Sequence, residues 1–369
     1  MKQLLLWTNM YPTEKAPYYG TFVRSTEQAW RKVLGERHVS LVAMREKPVG
    51  KIAKIYFYTE LMTRCVLSLF SKPRGTVLEV HYPVYFLPVL LLLKLLDKKF
   101  YLVLRFHGSD LKKVKSSFFF SFLFKILKKE VQIYVVPSDY YVKKIVAELA
   151  VPEKQVEKVF PDCVGGSEFL TVTSSRPSDF SDNQYRIGYV SRLEKEKNCE
   201  ELIRAFYKLG IKNASLTVVG DGSEREYLEN LVKQLALESR VTFLGALPRH
   251  DLPEVMASFD IFVFPSVSET ESFGLVGLEA LSCGTPVIAN RVLEGAKEYL
   301  VHGENGFFYD NNEDGLADAL KQYYLMSIEE RGEMAVNALR VRDKFSYENV
   351  FIKGAEIILS KYSASAVMR

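Results

Sequence analysis

The chain has 369 residues, 48% of them hydrophobic and 25% charged, with a formal net charge of +4. That is apolar material for a full-sized core and a length beyond the usual single domain, so two domains are expected. The mild positive balance falls well short of a nucleic-acid-binding signature, and the four scattered cysteines (Cys65, Cys163, Cys199 and Cys283) form no CxxC pair, which argues against a disulfide framework or a zinc site.

From the amino terminus, one lysine precedes Gln3-Leu4-Leu5-Leu6-Trp7, a run too short for a secretory leader and better read as a first buried strand. Further buried strands are expected at Val39–Ala43, Val77–Val80, Tyr101–Phe106 and Ile133–Val136. The second half repeats the pattern at Tyr185–Val190, Leu216–Val219, Val241–Leu244, Ile261–Phe264 and Pro286–Ala289, with helical stretches between most of them. Short apolar runs alternating with helices predict an α/β protein with parallel sheets. The most apolar run, Val84 to Leu96, contains Pro88 and Lys94 and is shorter than the roughly 18 residues of a spanning helix, so a core helix is expected. With no secretion or spanning signal, the expected location is the cytoplasm.

Residues 166–184, rich in Ser, Thr, Gly and Pro, read as a linker. This divides the chain into an amino-terminal Rossmann-like domain, 1–165, and a carboxy-terminal one, 185–346. Residues 347–369 read as a helix packing back on the first domain. The expected fold class is therefore α/β, two Rossmann-like domains facing across a cleft. Such domains bind ligands just beyond the carboxyl ends of their strands, where helix amino termini offer free amides.

Four segments in those positions carry chemistry. Gly20 closes the loop after the first strand and heads the first helix, so its amide is placed to meet a phosphate. His107, in Arg105-Phe106-His107-Gly108-Ser109-Asp110, follows another strand, and a His there can bond a sugar hydroxyl, although a lone His is more often structural. Arg192 and Lys197 follow the strand ending at Val190 and precede a helix over Glu201–Leu209 whose expected cap is Asn198. Two cations there suit a diphosphate and the charge that grows on it as it leaves; a solvated charged loop is the plain alternative. In Glu271-Ser272-Phe273-Gly274-Leu275 through Glu279, a helix is expected to begin near Phe273. Eight helical residues would set Glu271 and Glu279 about 12 Å apart along the axis. One carboxylate would hold sugar hydroxyls and the other a ribose, with the amides of Phe273, Gly274 and Leu275 on the phosphates between. The plain reading of the pair is a helix-dipole partner and a surface glutamate. That spacing disfavours a glycosidase, whose carboxyl groups stand about 5–9.5 Å apart.

The chain has no GxxxxGK[ST] loop, no GxGxxG fingerprint, no HExxH and no DxD pair. No metal is expected, and no cofactor beyond a nucleotide-diphosphate sugar as co-substrate, UDP- or GDP-linked.

The order and spacing of these pieces resemble the retaining glycosyltransferases of family 4, which have the two-Rossmann fold called GT-B. The resemblance is densest from Ile187 to Phe308. It rests on Gly20-Thr21-Phe22-Val23, His107-Gly108-Ser109-Asp110, Arg192 with Lys197, Val219-Gly220-Asp221-Gly222, Phe243-Leu244-Gly245, the Glu271/Glu279 E-x7-E pair and Asn305-Gly306. It implies that Arg192 and Lys197 bind the diphosphate with the Gly20 amide. Glu271 would hold the transferred sugar, Glu279 the ribose, and His107 would sit near the reacting carbon. Leu247 lies where backbone usually contacts the base. It also implies a metal-independent transfer that keeps the anomeric configuration. Two departures stand out: Gly20 is single where the family often has a glycine pair, and Pro161-Asp162-Cys163-Val164-Gly165 replaces the usual Pro-Asn-Gly-Val-Asp. A catalytically silent nucleotide-sugar-binding relative and an epimerase or phosphorylase of the same fold are the alternatives.

From Leu111 to Lys129 the chain combines six lysines with five phenylalanines, the rings between two lysine groups. On a helical wheel Leu123, Phe124, Ile126 and Leu127 form one apolar face, while Phe118 and Phe122 fall among or beside Lys125, Lys128 and Lys129. Aromatics among lysines on an outer face suit contact with the inner face of an anionic membrane, and a lipid-linked saccharide acceptor in surface polysaccharide assembly (capsule, exopolysaccharide or O-antigen). The plain alternative is a core helix with snorkelling lysines.

Overall fold

The computed structural model of the chain describes residues 2–16, 19–95, 99–163, 169–170, 184–268, 271–310 and 312–367. The chain forms two compact units, one from Met1–Cys163 with Tyr347–Arg369, the other from Val164–Ser346. Apart from Phe169, Leu170 and Gln184, the 166–184 linker expected from composition lies outside the described residues.

The first unit contains a parallel six-stranded sheet in the order β2-β1-β3-β4-β5-β6. Its strands are β1 (Leu4–Thr8), β2 (Val39–Ala43), β3 (Val77–His81), β4 (Tyr101–Arg105), β5 (Val131–Val136) and β6 (Val156–Lys158). Strands β1, β3 and β4 are buried along their whole length, which is why they are near-continuous apolar runs rather than alternating ones. Its helices are α1 (Thr21–Leu34), α2 (Lys51–Phe70), α3 (Leu87–Leu95), α4 (Ser109–Ser116), α5 (Phe118–Leu127) and α6 (Asp139–Leu149).

The second unit's sheet runs β12-β11-β10-β7-β8-β9, all parallel. The strands are β7 (Tyr185–Val190), β8 (Ala214–Val219), β9 (Val241–Gly245), β10 (Ile261–Phe264), β11 (Val287–Asn290) and β12 (Gly306–Tyr309). Counted within the unit, this is the doubly wound order whose direction reverses between β7 and β10, the topological switch point. Its helices are α7 (Cys199–Leu209), α8 (Arg225–Gln234), α9 (Leu252–Ala257), α10 (Leu275–Ser282), α11 (Glu313–Leu325), α12 (Ile328–Leu339) and α13 (Val341–Lys344). The last helix, α14 (Lys353–Val367), belongs to the first unit, where Ala355 and Ile358 join a core with Trp30 and Val103.

Three local expectations are corrected. The helix expected at Phe273 starts at Leu275, because Gly274 takes a left-handed conformation (φ 81°) and ends the preceding loop. The helix expected at Glu201 starts at Cys199, with Asn198 before it in the left-handed region and accepting no side-chain cap bond; its Nδ2 donates instead to Glu201, at 2.9 Å. The segment 111–129 is not one helix: it breaks at Ser117, whose hydroxyl accepts from the Phe120 amide and starts α5 afresh.

Candidate active site

In the second unit, β7 and β10 lie side by side, so the loops leaving their carboxyl ends are neighbours. The Val267 amide donates to the Glu196 carbonyl at 2.9 Å, and the Ser266 hydroxyl to the same oxygen at 3.2 Å. These bonds hold the turn Lys195–Lys197 against the loop before Glu271, and Lys197 Nζ donates directly to Glu271 Oε2. Both side chains are mostly buried, at 15% and 20% exposure, so the pair is a fixed feature of the switch point rather than a fraying surface contact.

Arg192 stands in the same loop with its side chain exposed and no ion pair among the described residues. Its backbone is held by glycine chemistry. A Cβ on Gly220 would lie 1.8 Å from the Ser191 carbonyl oxygen, and one on Gly222 2.4 Å from that of Leu193. Only glycine lets the turn after β8 press this closely on the loop after β7, and Leu193 N–H completes the contact by donating to Asp221 O at 2.9 Å.

The amino end of α10 is fixed as firmly. Tyr299 Oη donates to the Gly274 carbonyl at 2.7 Å, and Phe273 packs between the rings of Tyr299 and Phe345. The first amides of the helix have no partner within it, so Gly274 and Leu275 begin a ready anion cradle. Phe273, by contrast, is buried by its side chain. Glu279 sits within α10, buried, and accepts from Arg249 Nη2 at 2.6 Å. Sequence reasoning missed Arg249: it precedes its partner by 30 residues and belongs to a polar turn (Arg249–Asp251) with no periodic signal. Leu247 lies half-buried just before that turn.

In the first unit, Gly20 caps α1 in the left-handed region (φ 79°), and a Cβ there would lie 2.7 Å from the Met10 carbonyl, so the loop after β1 folds back on the helix start. Two residues on, the Phe22 ring lies 4.9 Å from that of His107. His107 is half-buried; its ring stacks on Tyr82 at 4.4 Å and its Nε2 lies 3.2 Å from His81 Nδ1. Gly20, His81 and His107 are thus gathered at the carboxyl edge of the first sheet.

Behind them lies a polar cluster the sequence did not reveal. Glu79, fully buried in β3, accepts from Trp30 Nε1 at 2.6 Å and from Arg105 Nε at 2.7 Å, and His81 Nε2 is 3.4 Å from the same carboxylate. Burial alone would raise the Glu79 carboxyl, yet Arg105 and His81 bring it down to about 2. His107 is pushed well below the ordinary histidine range by burial and by its neighbours His81 and Arg105, so its ring is neutral near pH 7. Asp110 pins the loop in between, accepting from the amides of His107, Gly108 and Leu111 at 2.9–3.1 Å. Burial nevertheless lifts its carboxyl to about 6.

Residues 173–341 match the sequence profile of the family described as glycosyl transferases group 1, and that stretch takes in most of the second unit. The second unit thus resembles a group 1 glycosyl transferase domain. An uncharacterised glycosyltransferase of Methanocaldococcus jannaschii is 38% identical over 173 residues, covering 46% of this chain and 43% of its own. The N-acetyl-alpha-D-glucosaminyl L-malate synthase of Bacillus anthracis is 28% identical over 247 residues, covering 66% and 63%. The chain therefore spans about half the length of the curated relatives it matches. Among solved structures, Anabaena HepE in complex with UDP superposes with a TM-score of 0.70 at 20% identity, covering 98% of this chain and 100% of HepE. At that identity the likeness speaks to fold alone, and it is the GT-B fold. Within the matched residues, Glu271 falls on the loop after β10 and Glu279 on the helix that follows it, while their partners Lys197 and Arg249 come from the turns after β7 and β9.

Proposed function

We propose that this chain is a retaining, metal-independent glycosyltransferase that moves a sugar from a nucleotide-diphosphate sugar to a hydroxyl acceptor. The observation that carries the reading is the Lys197–Glu271 pair at the switch point of a unit that resembles a group 1 glycosyl transferase domain. A lysine beside a carboxylate, with exposed Arg192 on the same loop and free amides at the start of α10, matches the two ends of such a donor. Lys197 and Arg192 hold the diphosphate together with the amides of Gly274, Leu275 and Phe273. Glu271 takes the sugar hydroxyls, Glu279 the ribose, and the backbone at Leu247 the base. His107, on the first unit, offers a ring nitrogen that can bond a sugar hydroxyl. In the reaction the bond from C1 to the diphosphate oxygen breaks while the acceptor oxygen bonds to C1 on the same face. The departing diphosphate takes the acceptor's proton, and Arg192 and Lys197 stabilise the charge that builds on it.

The acceptor is proposed to be lipid-linked. Phe118, Phe119 and Phe122 of α5 are 90%, 56% and 54% exposed, whereas Leu123, Phe124 and Leu127 are buried. Exposed Lys125 and Lys129 share the outer side with those rings. No described helix is long and apolar enough to cross a membrane, so the contact would be made at its surface.

The deciding experiment is a thermal-shift screen against UDP-, GDP- and ADP-sugars, followed by transfer assays with the stabilising donor in the presence of a chelator. A raised midpoint and a product of unchanged anomeric configuration support the proposal. Donor binding without transfer or hydrolysis would favour the catalytically silent relative, and no binding to any sugar nucleotide would overturn the reading.

A further inference from the structure

Helix α2 turns the wrong side of an amphipathic pattern to water. Its core-facing side supplies Leu61, Cys65 and Leu69, which are fully or almost fully buried. Yet Ile52, Ile55, Tyr56, Leu67 and Phe70 are 85%, 70%, 65%, 63% and 59% exposed, and Val49, just ahead of the helix, is 84% exposed. With 100° per residue, those five side chains and the exposed Thr59 and Thr63 fall within a sector of about 120°. No charged residue interrupts it. A stripe of that length on a helix already buried on its other side is not needed to hold the unit together, and it marks a contact surface.

The charges beside the stripe say what it contacts. Lys51 and Lys54 flank its amino end, both exposed and without an ion pair among the described residues. The acids nearby are already engaged: Glu46 pairs with Lys15, and Glu60 with Arg45 and Arg64. An open groove between α2 and the turn Pro83–Tyr85 continues the apolar surface through Met62, Val66 and Leu67, with Lys113 donating to the Tyr85 hydroxyl at its edge. Helix α2 packs on α3 and α3 on α5, so the stripe and the exposed phenylalanines of α5 belong to one helical layer. We infer that the outer face of α2, from Val49 to Phe70, docks on an anionic lipid bilayer, the apolar side chains entering the interface and Lys51 and Lys54 meeting the headgroups. A second copy of this chain fits less well: a parallel twofold contact would set Lys51 and Lys54 against their own images, and an antiparallel one would press them on the apolar end at Leu67 and Phe70 with no acid to pair. This surface stands apart from the α5 contact proposed above and from the donor chemistry.

The test is cosedimentation of the full chain with vesicles of phosphatidylcholine, with and without phosphatidylglycerol, at low salt. The variants are Ile52→Glu with Ile55→Glu, Lys51→Glu with Lys54→Glu, and, for α5, Phe118→Glu with Phe122→Glu. All these positions are exposed, and an unchanged unfolding midpoint confirms that each variant folds. The wild type is expected to bind the anionic vesicles and not the neutral ones, with binding weakened at least about tenfold in both α2 variants. Three results would overturn the inference: no binding by the wild type, full binding by both α2 variants while the α5 variant fails, or a dimer in light scattering that Ile55→Glu dissociates. The second of these would leave the α5 contact standing and remove α2 alone.

Discussion

Lys197 and Glu271 were each visible in the sequence as residues that follow a strand, but nothing in the spacing said that they touch. Their meeting depends on β7 and β10 being neighbours and on Glu196 offering one carbonyl to two donors. With the pair as the core of the proposed donor site, Lys197→Ala should lower kcat/KM by about 100-fold or more, measured with the donor found by thermal shift. Glu271→Gln keeps shape and removes charge, so it should cost less binding than Lys197→Ala. Equal activity in both variants and wild type would remove the pair from the mechanism. The histidines make a sharper prediction. A carboxylate only accepts, so the proton of His81 belongs on Nε2, toward Glu79, which leaves Nδ1 to accept from His107 Nε2–H. His107 then has Nδ1 open as an acceptor for a hydroxyl. Nitrogen-15 shifts of labelled histidines should show both rings neutral and protonated at Nε2; a His107 proton on Nδ1 would contradict this. Glu79 itself went unnoticed because it sits inside Val77–Val80, a run read only for its apolar members.

Among elements, ten strands announced themselves as apolar runs bounded by polar residues, and the structure shows all ten with ends shifted by no more than about two residues. The two that escaped, β6 and β12, are edge strands. The three residues of β6 include Glu157 and Lys158, and β12 opens on Gly306, so neither has the length or composition that marks a buried strand. Helix starts were harder to read wherever glycine or a left-handed residue sets the boundary, as at Gly274 and Asn198. The glycine contacts between loops make their own prediction. Gly220→Ala places a methyl on the Ser191 carbonyl in a backbone conformation (φ 133°) that L-residues rarely adopt. It should destabilise the chain by about 2 kcal/mol or more and displace the Arg192 loop, seen as a lower unfolding midpoint with weaker donor binding. By comparison, Ser327→Ala, which removes a complete capping box at the start of α12, should cost about 1 kcal/mol and leave donor binding alone.

For the molecule as a whole, stability at low pH is tied to the buried Glu79. Its carboxyl is held near 2 when folded against an ordinary value of 4.5, so the folded state gains from its ionisation. A depressed carboxyl contributes fully above the unfolded value and loses that contribution as pH falls through the folded one. The stability gap between wild type and Glu79→Gln should therefore be full above about pH 4.5, on the order of 3 kcal/mol, and close toward about pH 2. Denaturant melts at several pH values would show it, and a gap constant with pH would exclude the ion pair as its source.

The first unit is assembled from both ends of the chain, with α14 laid against Trp30, Val103 and Tyr101 and the Tyr362 hydroxyl donating to the Gly75 carbonyl at 2.9 Å. A nascent chain leaving the ribosome must therefore carry its first sheet with one flank uncovered while the whole second unit is synthesised. The second unit, continuous from Val164 to Ser346, has every strand it needs and can fold meanwhile as an independent insert. Chains stopped before Lys353 should accumulate with the second unit protected and the first open to protease, a kinetic signature of a protein closed by its own tail.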